Sequence, residues 1–92
     1  MLQFIIELPE STSLKEKRHV VNSLKHRMIR RYKVSAAEVD LHQSLAFAQI
    51  GVAVVSNSRK FGESLMQKII KFVEDDYEGR VHDFAIFSEQ YD

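Results

Sequence analysis

The hydrophobic period of this chain switches between two and 3.6 residues in the order β-α-β-β-α-β, which leaves few ways to fold. Leu2, Phe4, Ile6 and Leu8 alternate with Gln3, Ile5 and Glu7, giving a strand with one apolar face. Residues 9–12 end it with turn chemistry, and Ser13 stands three before Glu16, the spacing of a capping box. Beyond Ser13, Leu14, Val20, Val21, Leu24, Met28 and Tyr32 fall on one stripe of a helical wheel, with Lys15, His19, Asn22, His26 and Arg30 opposite. Lys17 and Arg31 fall inside the stripe near its ends, where long stems lie along apolar surface and hold their charges in water.

Residues 34–41 and 45–55 read as two further strands joined by His42, Gln43 and Ser44, a short hairpin loop without Gly or Pro. Ser56, Asn57 and Ser58 cap a second helix. In it Phe61, Leu65, Met66, Ile69, Ile70, Phe72, Val73 and Tyr77 cover nearly half the circumference, and Gly79 is a natural stop. A last strand runs from 81 to about 88, with fraying at the end. Connection rules turn this order into a four-stranded antiparallel sheet with both helices on one face, a ferredoxin-like α+β fold in one domain over residues 1–92.

Ninety-two residues make a single small domain, which hides only about 60–65% of its unfolded surface, so an additional interface would help it. The absence of cysteine excludes a disulfide framework, a thiolate zinc site and a thiol nucleophile. Residues 1–6 lack a basic start and Glu7 interrupts their apolar run, so no secretory leader is expected. No apolar run approaches the ~20 residues of a membrane span, and a cytoplasmic location follows as the expectation.

Net charge is zero but unevenly spread: residues 1–33 hold eight basic and three acidic side chains, residues 34–92 five and ten. Such separation bears on partners rather than fold. With the helices antiparallel, Lys15, Lys17 and Arg18 are expected to meet Glu74, Asp75, Asp76 and Glu78, an intramolecular match or else a binding cluster. At the other end Arg30, Arg31 and Lys33 are expected beside Arg59 and Lys60, with only Glu63 near. There the free N–H groups behind Ser56, Asn57 and Ser58 form an anion site. The alternative for that end is a solvated surface. The open face of the sheet is expected to carry Ile5, Phe47, Ala53 and Phe87 among Gln3, Glu7, Glu38 and Gln49, apolar enough for a homodimer closing sheet on sheet.

Catalytic and cofactor signatures are sparse. The third strand has one aromatic, Phe47, where the RNA-recognition version of this fold stacks bases on several. His19 and His26 lie about 10 Å apart along the helix, too far to chelate one ion. His42 and His82 are isolated, and Glu38 and Asp40 read as solvated carboxylates rather than an acid–base pair. No P-loop, dinucleotide fingerprint or nucleophile elbow is present. Neither an enzyme nor a cofactor is expected.

The blocks Ser13-Leu-Lys-Glu-Lys-Arg18, Val21, Ser23-Leu24, Ser35, Ala37-Glu38-Val39-Asp40 and Gly51-Val-Ala-Val-Val-Ser-Asn57 resemble the YlxP-like family of bacterial domains of unknown function. The resemblance runs almost end to end. It implies a ferredoxin-like fold, a cytoplasmic location, no assigned catalysis, and genes beside a translation initiation factor and a ribosome-binding factor. Where that family often has Trp-Gln-Arg before the third strand, this chain has Leu45-Ala46-Phe47, so no role of that tryptophan carries over.

Two functions from different classes follow. In the first, the protein binds structured RNA or the ribosome, with Arg30, Arg31, Lys33, Arg59 and Lys60 on phosphates and Lys15, Lys17, Arg18 and Arg27 as a second set. In the second it is a homo-oligomeric interaction module working through Ile5, Phe47, Ala53 and Phe87. A small ligand at a dimer seam rests on fold analogy alone.

Overall fold

A computed structural model describes residues 1–8 and 13–87. The order is β1 (Leu2–Glu7), α1 (Leu14–Tyr32), β2 (Ser35–Asp40), β3 (Phe47–Ala53), α2 (Arg59–Asp76) and β4 (Val81–Ile86). The four strands form one antiparallel sheet in the order β2-β3-β1-β4, the ferredoxin-like arrangement. The turn expected over residues 9–12, and the end of the last strand at Ser88, lie outside the described residues.

Strand alternation sets the core. Leu2, Phe4 and Ile6 of β1 and Ala48, Ile50 and Val52 of β3 are fully buried under the helices. Val21, Leu24 and Met28 of α1 and Met66, Ile69 and Val73 of α2 close over them. Ser13 caps α1, its hydroxyl accepting from the Glu16 N–H at 3.2 Å. Ser58 caps α2, accepting from the Phe61 N–H.

Three local expectations need correction. Phe61, read as part of the α2 stripe, is 61% exposed. Gly79 does not stop α2 by a left-handed turn; Tyr77 is the C-cap in extended backbone. Gly79 is instead a place of close approach, where a Cβ would lie 2.6 Å from both the Glu7 carbonyl oxygen and the Tyr77 ring.

The β2–β3 connection is also longer than its sequence suggested, running from Leu41 to Ala46. It turns without glycine because Leu41 adopts φ 65° and the Ser44 hydroxyl accepts from the N–H groups of Ala46 and Phe47.

Candidate polyanion interface

The charges of α1 sort into one buried lysine and a surface set. Lys17 is 1% exposed, on the buried row with Val21, Leu24 and Met28. Its ammonium donates to the carbonyls of Leu41 (2.5 Å) and Ser44 (2.7 Å) and lies 2.9 Å from Glu38 Oε2. That oxygen is buried and receives no well-aligned hydrogen bond, so charge rather than a directed bond holds the pair. Lys17 therefore anchors the β2–β3 turn to α1, and the expectation that its charge reaches water is wrong. Glu38 is corrected with it: it faces the helices, 14% exposed, and is neither on the open face nor solvated.

The helices are antiparallel but displaced along their axes. Arg27 of α1 pairs with Asp76 of α2. One turn later the Tyr32 and Phe72 rings meet edge to face at 5.6 Å, with the Arg31 guanidinium 5.1 Å from the centre of Phe72. Both expected end-to-end matches fail because of this offset. Lys15 and Arg18 lie twelve and nine residues before Arg27, about 18 and 14 Å back along the axis. Among the described residues, no ion pair joins them to Glu74, Asp75, Asp76 or Glu78. Arg59 and Lys60 begin α2, Arg59 about 20 Å along the axis from the Phe72 that Arg31 covers, so the five-cation cluster is divided.

What Arg31 does join is a groove of about 530 Å³ shared with Tyr32, Lys68, Lys71, Phe72, Asp75 and Asp76. Lys68 and Lys71 escaped sequence reasoning, which looked only at helix ends. Their spacing on the flank of α2 beside Phe72 was the available signal. Lys15, Arg18, Arg27 and Arg30 are exposed along α1. Lys33 caps the helix in left-handed backbone, φ 57°, its N–H bonded to the Ile29 carbonyl at 2.9 Å. Basic residues suit that end of the dipole, whereas α2 carries Arg59 and Lys60 at its positive end and Glu74, Asp75 and Asp76 at its negative one.

The anion site expected at Ser56, Asn57 and Ser58 is partly self-satisfied. The Ser56 hydroxyl accepts from the Ser58 N–H at 3.1 Å and donates to the Ser58 carbonyl at 3.0 Å. The Phe61 N–H goes to the Ser58 hydroxyl and the Gly62 N–H to the Ser58 carbonyl.

On the open face of the sheet Ile5 and Phe47 are diagonal neighbours, with Val39 over Gly51 and a Gln49–Gln3 hydrogen bond of 3.1 Å. Val39 is 45% and Phe47 37% exposed. Ala53, in phase with Phe47 along β3, and Phe87, paired with Met1, continue that face to the sheet end, where both also line a second cavity. His82, read as isolated, lies 3.7 Å from Glu7 on that face. No helix among the described residues is long and apolar enough to cross a membrane.

Comparison with known proteins agrees with the sequence resemblance. The model of a family described as "Protein of unknown function (DUF503)" matches residues 1–86. The "Uncharacterized protein YlxP" of Bacillus subtilis (strain 168) is 31% identical over 65 residues, 71% of either chain.

Proposed function

Because the chain belongs to the DUF503 family of proteins of unknown function, membership supplies no activity, and we propose a non-catalytic cytoplasmic module that binds structured RNA. It would sit on the ribosome or its precursors, as the gene company implied by the YlxP-like resemblance suggests, and engage phosphates.

The observation that supports this reading is the outer side of α1. From Lys15 to Lys33, about 27 Å along the axis, it exposes Lys15, Arg18, Arg30 and Lys33 with Glu16 as the one acid of α1, while Arg31 lies over Phe72 and Arg27 is paired with Asp76 of α2. Lys68 and Lys71 add cations beside Arg31, in a groove whose lining also holds Asp75 and Asp76. A surface of this kind reads backbone charge and shape rather than sequence. Among the described residues, β3 carries one aromatic, Phe47, on the open face, which is no stack for reading bases.

The test is charge reversal at Arg18 and Arg30, which contact no ring. Arg18→Glu/Arg30→Glu should lower association with ribosomal subunits by about tenfold or more at low salt. Unchanged association contradicts the proposal.

A second reading is favoured by the open face, where Val39 and Phe47 remain exposed around Ile5. On it the protein is a sheet-to-sheet homodimer. Phe47→Asp should then convert a dimer to a monomer in sedimentation, leaving RNA association untouched.

A further inference from the structure

We propose that the cavity between the end of the sheet and the first turns of α2 binds a small aliphatic carboxylate. This site is separate from the α1 row, and its failure would leave the RNA reading standing. Its volume is about 400 Å³, within the size range of small-molecule sites. Ala53, Val54, Met66 and Phe87 give it apolar walls.

Its charged lining residues among those described are Arg59 and Met1, whose ammonium donates to the Phe87 carbonyl at 2.6 Å, and none of the described lining residues bears a carboxylate. The hydroxyls of Ser56 and Ser58 are already engaged in capping α2, so the guanidinium sets the sign of the ligand. Arg59 also places a positive charge at the wrong end of the α2 dipole, a cost that a bound anion offsets.

The apolar part of the ligand follows from what the fold leaves uncovered. Val55 is fully exposed and Phe87 52% exposed on this wall. Such a concentration of exposed apolar side chains marks a binding surface. Gly62 keeps the cavity open, since a Cβ there would meet nothing nearer than the Ser56 Cβ at 3.9 Å. An alkyl chain lying on Val54, Met66 and Phe87 places its carboxylate at Arg59 in the two-pronged geometry guanidinium favours.

Sodium octanoate titrated into the ¹⁵N-labelled protein tests this, with octanol and acetate as single-feature controls. Octanoate should saturate at about 1 mM, with shifts confined to Ala53, Val54, Val55, Gly62 and Met66. Octanol and the Arg59→Gln variant should each weaken binding about tenfold. Acetate should not saturate. Gly62→Leu fills the cavity and should abolish the shifts; Ala53→Leu, at the other wall, serves if that variant does not fold. No saturable shift, shifts spread over the open sheet face, or binding that survives a folded cavity-filling variant would overturn the proposal.

Discussion

Lys17 of α1 and Glu38 of β2 place opposite charges 2.9 Å apart beneath the helix layer, and the same ammonium ties down the carbonyls of Leu41 and Ser44. A single buried cation thus does for the β2–β3 turn what glycine or proline does elsewhere. Removing it leaves one carboxylate uncompensated and two carbonyls without their donor. Lys17→Met and Glu38→Gln each leave one buried charge without its counter-charge and should each cost about 3–5 kcal/mol, the second toward the lower end because the ammonium keeps the Leu41 and Ser44 carbonyls. Urea unfolding of the two variants gives both values.

The Arg27–Asp76 pair joins the helices at their surface, 43% and 32% exposed. Its coupling energy in a double-mutant cycle should stay below about 1 kcal/mol and shrink in salt. A larger value would mean that this pair, rather than Tyr32 on Phe72, sets the offset of the helices.

Tyr77 closes the C-terminal end of α2 onto β1, its hydroxyl donating to the Glu7 carbonyl at 3.0 Å. Burial, and then the Glu7 carboxylate, raise its pKa above 10.0. A raised folded pKa gives stability that is fully present below pH 10.0 and lost as the pH climbs through the folded value. Tyr77 should therefore ionise above the ordinary tyrosine value of 10.0 in an absorbance titration. Tyr77→Phe should remove that part of the alkaline loss and cost about 1 kcal/mol at neutral pH.

Two glycines should respond in opposite ways to alanine. At Gly79 the added methyl meets backbone and ring at 2.6 Å, so the turn must move and stability should fall by about 1–3 kcal/mol. At Gly62, inside α2 with open space beside it, alanine should raise stability by up to about 1 kcal/mol. Thermal melts of both variants check the contrast.

The fold was legible in sequence because its signals are periodic: β1 alternates cleanly, and α1 and α2 repeat their apolar rows. What escaped is set by contacts between elements. Lys17 shares a wheel row with Val21, Leu24 and Met28, yet a lysine there reads as reaching water unless its partner is known. That partner was hidden because β2 puts Ala37 and Val39 outward and Glu38 inward, against the hydropathy of its own side chains. The axial offset of the helices leaves no mark on either helix's period, so the charge clusters at their ends could be identified but not matched. Ile5 and Phe47 were placed correctly on the open face by alternation alone.

The account rests on phosphate contacts by exposed cations of α1, and salt dependence measures these most directly. Association of the unmodified protein with purified ribosomal subunits should weaken with a slope in log affinity against log salt of roughly −3 to −4, as four or five phosphate contacts require. A slope near zero, or no association at low salt, would contradict it.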